Sequence, residues 1–250
     1  MDAAIATVGD NCIDRYLALG LSAVGGNALN VAIQARRLGL SVAYFGAVGR
    51  DGAGERVLAA LRDNGVDVSG VRYGAAPTST TDLGVDADGE RVIAAEDFGA
   101  CRGYRPDAAD LARLERVDHV HIGWLDDGGA LRRALVGAGV SVSQDISVNA
   151  DPANLGIDGL SVAFASAGED DAARDAILRR FLDEGVRTAV VTRGAKGSAA
   201  ATAGERATTG IIPVELIDTT GAGDSFIAGF LSVHLAGGSL QQAVECGRDR

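Results

Sequence analysis

The run Asp218-Thr219-Thr220-Gly221-Ala222-Gly223-Asp224-Ser225-Phe226 holds the residues with the clearest capacity for chemistry. An apolar, β-branched stretch precedes it (Ile211, Ile212, Val214, Leu216, Ile217) and an amphipathic run follows (Phe226, Ile227, Phe230, Leu231). That layout predicts a strand, a tight glycine turn and a helix N-terminus. A helix N-terminus presents unpaired backbone N–H groups and partial positive charge, so it holds an anion without a cationic side chain. Gly221, Ala222 and Gly223 let a phosphate approach that backbone closely. A carboxylate beside a phosphate site repels the ligand unless it has chemical work, such as taking a proton from an attacking hydroxyl. Spacing alone leaves Asp224 two roles: that base, or a helix cap.

The elements that must position these residues alternate along the chain. Ile5–Asp10 reads as a buried strand, Gly25–Leu38 as a helix, Val42–Gly49 as a strand and Glu55–Asn64 as a helix. Further strands are expected at 118–123, 140–145, 160–165, 188–192 and 198–202. Further helices are expected at 108–116, 128–138, 170–184, 223–236 and 240–247. This rhythm predicts a single α/β domain over residues 1–250 with a doubly wound, mostly parallel sheet flanked by helices. Between Val71 and Tyr104 the rhythm changes. Runs at 78–85 and 91–95, joined through Asp86-Ala87-Asp88-Gly89-Glu90, read as a hairpin, hence a small antiparallel β lid or a plain surface hairpin. Ligands of open α/β sheets bind beyond the carboxyl ends of strands, and Asp10, Asp145, Ser166, Thr192 and Asp218 all fall there.

Composition narrows the classes of function. The 250 residues include 35 glycines, 47% hydrophobic residues and 4% aromatics, which suits a large core with many tight turns. A net charge of −11 argues against nucleic acid or an anionic membrane as partner. Cys12, Cys101 and Cys246 lie far apart without metal-ligand spacing, as expected of reduced cytosolic thiols. With no leader and no run of membrane-spanning length, a cytoplasmic protein is expected. His119 and His121 share one strand face and His234 lies far away, so structural roles are expected. Trp124 is placed to stack on a substrate or to pack. A dinucleotide-dependent oxidoreductase would need Gly-x-Gly-x-x-Gly after the first strand, and Gly9-Asp10-Asn11-Cys12 lacks it.

The segment from Asp218 to Phe226 resembles the C-terminal signature of the ribokinase-like carbohydrate kinases. Gly25-Gly26-Asn27-Ala28-Leu29-Asn30-Val31-Ala32 resembles that family's N-terminal signature. The resemblance spans essentially the whole chain and implies the ribokinase-like fold and transfer of the ATP γ-phosphate to a sugar hydroxyl. It implies Asp224 as base and Gly221, Ala222 and Gly223 as anion hole. It implies Asp14, five residues after Gly9, together with Gly25, Gly26, Asn27 and Asn30, as the sugar pocket. For the nucleotide it implies Thr192, Gly194, Ser166 and Asp218, with Arg193 and Lys196 able to add charge. Ser166-Ala167-Gly168-Glu169 resembles an Asn-x-x-Glu motif, with serine replacing the asparagine, whose Glu169 organises Mg²⁺ through water. Asp218 and Thr220 match positions that hold K⁺ in some relatives.

Val8-Gly9-Asp10-Asn11-Cys12-Ile13-Asp14 and Phe164-Ala165-Ser166-Ala167-Gly168-Glu169-Asp170 resemble the fructoselysine 6-kinase branch of that family, which phosphorylates the 6-hydroxyl of sugar–amine adducts. The resemblance therefore implies a fructosamine substrate under lid elements at about 11–24 and 71–104, with 2-keto-3-deoxygluconate, fructose and nucleosides as alternatives. Relatives continue past Arg250 with a helix and loop that wall the adenine. The shorter C-terminus leads to an expectation of weakened ATP affinity, or of a catalytically impaired sugar- or nucleotide-binding relative. Exposed lid edges imply a homodimer.

Overall fold

The computed structural model describes residues 4–85, 91–213 and 220–250. Strand β1 (Ala4–Val8) is followed by two short lid strands, β2 (Cys12–Tyr16) and β3 (Leu21–Gly25), and then by helix α1 (Asn27–Arg37). The chain continues through β4 (Ser41–Val48), α2 (Gly52–Asp63), β5 (Asp67–Tyr73), β6 (Thr80–Val85) and β7 (Arg91–Asp97). The second half carries α3 (Ala108–Leu114), β8 (His119–Ile122), α4 (Ala130–Gly137), β9 (Val142–Asp145), β10 (Val162–Ser166), α5 (Asp171–Asp183) and β11 (Thr188–Thr192). It ends with β12 (Ser198–Ala201), β13 (Arg206–Thr209), α6 (Ala222–Leu235) and α7 (Leu240–Arg248).

The large sheet runs β13-β12-β11-β10-β9-β8-β1-β4-β5. It is parallel from β11 to β5, with β12 and β13 antiparallel at one edge. The strands bury both faces, so their side chains feed two cores in alternation. Ile5, Val42, Tyr44, Phe164 and Val190 pack under α1, α2, α6 and α7. Ala6, Val8, Phe45, Val120, Val142 and Val191 pack under α3, α4 and α5, where Leu114, Leu135 and Phe181 are fully buried. The result is the doubly wound α/β arrangement expected from the alternation.

β1 sits between β4 and β8, so the winding reverses there and leaves a crevice beyond Val8 and Ile122. Over that crevice stands a four-stranded lid sheet ordered β3-β2-β6-β7. Its two antiparallel hairpins, β2–β3 and β6–β7, are joined by a parallel β2–β6 pairing. The turn expected over 86–90 lies outside the described residues. β5, whose last residues are Val71–Tyr73, is the edge strand of the large sheet. Of the strand expected over 211–217, Ile211 and Ile212 are about half exposed and belong to no strand, and 214–217 lie outside the described residues. No helix among the described residues is long and apolar enough to cross a membrane.

The floor beneath the crevice is aromatic. Phe230 of α6 is fully buried and meets Phe164 of β10 edge-on, with ring centroids 5.5 Å apart. Phe230→Ala is expected to lower stability by about 3–5 kcal/mol; urea unfolding followed by circular dichroism measures it.

Candidate active site

Helix α1 begins after Gly26, whose φ of 112° and missing side chain provide no cap of its own. The Asp10 carboxylate, two residues upstream of β2, supplies it. It accepts the backbone N–H of Asn27 at 2.9 Å, of Ala28 at 3.1 Å and of Trp124 at 3.3 Å. Burial raises the Asp10 pKa, and these backbone hydrogen bonds oppose the rise. Asp10, expected at the strand-end rim, thus caps the start of α1.

With the start of α1 fixed, the Asn27 side chain is aimed at two carboxylates. Its amide nitrogen donates to Asp145 at 3.0 Å and to Asp224 at 2.6 Å. One turn later, Asn30 donates to the other oxygen of Asp224 at 2.8 Å. Asp224 sits in the first turn of α6, which starts at Gly221 with φ 76° and has no side-chain cap. Asp224 therefore does not cap its own helix but faces α1, half-buried in the crevice. Its pKa is pushed up to about 7, first by burial and then by the nearby Asp10 and Asp145 charges, against the Asn30 and Asn27 hydrogen bonds. Such a carboxyl is poised to accept a proton near neutral pH. Ala222 and Gly223 lie exposed in the same first turn, and its N–H groups are the anion-binding donors of a helix start.

Across the crevice, Asp14 of β2 is buried and accepts a hydrogen bond from the Cys12 thiol at 3.1 Å. A Cβ at Gly25 would strike the Asp14 carboxylate, so glycine there is what lets β3 pass beside it. Asp14, Tyr16, Asn30, Gln34, Gly221 and Ser225 line a cleft of about 200 Å³. Asp14, Gly25, Gly26, Asn27, Asn30, Gly221, Ala222, Gly223 and Asp224 are thus brought together, as expected. Tyr16 and Gln34 join them without having been singled out, and Asp145, expected only at the strand-end rim, joins them through Asn27. Tyr16 is two residues beyond Asp14 on the same strand face, and Gln34 is one helical turn beyond Asn30, signals available from spacing. Asp145 lies at a strand end, and only the fold gives it Asn27.

Ser166 and Thr192 end the paired strands β10 and β11 and stand opposite each other. The Ala167 N–H donates to the Thr192 carbonyl at 3.0 Å. Glu169 is exposed in the next turn, and its backbone carbonyl accepts from Lys196 Nζ at 2.6 Å, tying it to the turn containing Gly194. Arg193 is buried and bonded to Asp171. Both basic residues expected to add charge for a nucleotide are therefore engaged with protein groups. Asp218 lies outside the described residues. His119 and His121 are fully buried in β8, bonded to Ser141 and Ser143 at 2.7–2.9 Å, and burial drops both pKa values to about 3. Trp124 stacks on Phe98 with centroids 3.7 Å apart, which is the packing role.

The family model described as pfkB family carbohydrate kinase matches residues 21–131 and 142–249. The chain belongs to the pfkB family of carbohydrate kinases. The kinase is 34% identical over 245 residues to fructoselysine 6-kinase of Escherichia coli K12, covering 97% of this chain and 94% of that one. It is 31% identical to a fructosamine kinase of Bacillus subtilis over 90% and 81% of the two chains. Among solved structures, a ribokinase of Arabidopsis thaliana complexed with ribose and ATP superposes with a TM-score of 0.88 at 24% identity, over 99% and 91%. That likeness establishes the ribokinase-like fold, and the family makes the protein a phosphotransferase with an alcohol group as acceptor.

The raised pKa of Asp224 couples activity and stability to pH in opposite directions. The folded kinase holds the Asp224 proton more tightly than the unfolded chain, where the carboxyl titrates near 3.8. This group's contribution to stability is therefore fully present below pH 3.8 and is lost as pH rises to about 7. Asp224→Asn is expected to flatten that part of the stability–pH curve, measured by urea titrations from pH 4 to 8. In the wild-type kinase, kcat/KM is expected to rise with pH along a limb centred near 7.

Proposed function

We propose that the kinase transfers the ATP γ-phosphate to the 6-hydroxyl of fructoselysine or a similar fructosamine. The observation that carries this reading is the Asp224 carboxyl, held by Asn27 and Asn30 at the start of α6 with its pKa near neutrality. The 34% identity to fructoselysine 6-kinase over nearly the whole chain supports the choice of sugar.

In this reading the sugar occupies the cleft between Asp14 and α6. Asp14 accepts hydrogen bonds from vicinal hydroxyls, and Asn30 helps line the same wall. The acceptor hydroxyl meets Asp224, which takes its proton as the oxygen attacks phosphorus in line and the bond to ADP breaks. N–H groups of Gly221, Ala222 and Gly223 face the transferring phosphoryl group and stabilise its developing charge. Thr192, Gly194 and Ser166 receive the nucleotide at the ends of β10 and β11. The exposed Glu169 carboxylate fits a hydrated Mg²⁺, a hard ion that keeps much of its water and neutralises phosphate charge. Asp218 and Thr220 are the candidates for a K⁺ contact.

The lid leaves Leu17, Leu19, Leu21 and Ile93 each more than half exposed, beside open edges at β3 and β7. Such edges pair readily with a second copy, so we take the kinase as a cytoplasmic homodimer joined through the lid. Sedimentation velocity is expected to give a dimer that Ile93→Asp converts to monomer.

The deciding experiment is ADP release with Mg-ATP across fructoselysine, other fructosamines, fructose, 2-keto-3-deoxygluconate, ribose and adenosine. Turnover is expected to be greatest on fructoselysine and to fall at least about 100-fold in Asp224→Asn. Preference for another sugar would replace the substrate. Sugar or nucleotide binding without turnover would favour the impaired relative.

A further inference from the structure

The Asp145 carboxylate has no step of its own in the transfer scheme, yet it shares a hydrogen-bond donor with the base. It stands at the end of β9, is buried, and accepts from the Asn27 amide nitrogen at 3.0 Å. The same nitrogen donates to Asp224 at 2.6 Å. A primary amide carries two N–H groups on one nitrogen, so each carboxylate takes one. The other Asp145 oxygen accepts the Ser147 N–H at 2.9 Å and the Ser147 hydroxyl at 2.6 Å. The loop after β9 thus fixes Asp145 independently of Asn27.

The oxygen side of the Asn27 amide shows how much depends on that second carboxylate. Asn27 Oδ1 is buried without a hydrogen-bond partner among the described residues, and a Cβ at Gly123 would lie 2.5 Å from it. An unpaired buried acceptor is unfavourable, so the oxygen side does not hold the amide in place. Turning the amide over would set Oδ1 against two carboxylates. Held by Asp224 alone, the amide is free to pivot toward a partner for its oxygen. With Asp145 as second acceptor its plane is fixed and one N–H stays on the base. Asp145 is outside the described residues that line the cleft, so it reaches the base through Asn27. The charges acting on Asp224 are those of Asp145 and of Asp10 at the end of β1. Helix α1 faces it with the neutral Asn27 and Asn30, and lid strand β2 adds Asp14 to the same cleft.

We propose that Asp145 is a positioning residue for phosphoryl transfer: by taking one hydrogen of the Asn27 amide, it commits the other to Asp224 and keeps the base facing the acceptor hydroxyl. The inference rests on the reading of Asp224 as that base.

The test is a double-mutant cycle on ADP release. Asp145→Ala is expected to lower kcat at least about tenfold, with the KM for sugar and for Mg-ATP near wild type. Asn27→Ala is expected to lower kcat at least as much. The double variant is expected to lose no more than Asn27→Ala alone, because Asp145 then has nothing to position. Asp145→Asn keeps an acceptor for Asn27 and removes the charge. It is expected to retain most of kcat and to move the Asp224 titration, followed by carbon-13 NMR of the aspartate carboxyls, about one pH unit below the wild-type value. Additive kcat losses in the double variant overturn the proposal, as does full kcat in Asp145→Ala. So does an unmoved Asp224 titration in an Asp145→Asn protein with the wild-type melting temperature. A lowered titration in a protein that releases no ADP with any sugar upholds the link from Asp145 through Asn27 to Asp224 and overturns the kinase scheme.

Discussion

Helix α1 starts behind two glycines, so its first N–H groups have no side chain of their own to accept from them. The Asp10 carboxylate, reaching from the end of β1, accepts two of these groups and one more from the loop after β8. One partly buried carboxylate thus joins two adjacent strands of the large sheet to the helix that carries Asn27 and Asn30. The partial positive charge of the helix start offsets the cost of burying it. Without this junction the Asn27 amide has no reason to point at Asp145 and Asp224, and Asp224 loses the partner that turns it away from its own helix.

The choice of amides over cations around Asp224 sets its acidity. A lysine at position 27 or 30 would pull the carboxyl pKa down and make a weak base. Asn27 and Asn30 hold both oxygens in place and lower the pKa only partly, while burial, Asp10 and Asp145 raise it. The balance lands near neutrality because burial and the nearby anions outweigh the two neutral donors. In the proposed scheme, positive charge for the phosphate is supplied separately, by the backbone at the start of α6. The base and the anion-holding N–H groups of Gly221, Ala222 and Gly223 are in that scheme consecutive in the chain without neutralising each other.

Much of this was legible in the chain, and the rest was hidden for identifiable reasons. The strand–turn–helix layout announced the start of α6, and the hydrophobic runs announced the parallel strands that fill both cores. What spacing left open at Asp224, base or cap, depended on partners about two hundred residues away at Asn27 and Asn30. Strands β2 and β3 carry weak signals because the lid buries little. One face meets a polar cleft through Asp14, and Leu21 and Ser22 are exposed. Strands β5 and β13 are sheet edges with charged or glycine positions, where the alternation fades. Arg193 and Lys196 read as free charges in a glycine turn. Only the fold shows that Asp171 and the Glu169 carbonyl occupy them.

In the proposed scheme, the connections around the crevice place sugar recognition and the base in one frame. Gly9, Asp10 and Asn11 alone separate β1 from β2, and Gly26 alone separates β3 from α1. The hairpin bearing Asp14 is therefore tethered at both ends to the junction that Asp10 holds. Gly26 needs its positive φ and close approach to Asn11, where a Cβ would lie 2.5 Å from the Asn11 Cα. Such short tethers leave the hairpin little freedom to shift without moving Asn27 as well. A sugar bound between the hairpin and α6 is then aligned by the elements that also orient the base. Errors of an ångström between hydroxyl and base are costly in rate, and this construction shortens the path over which they could accumulate.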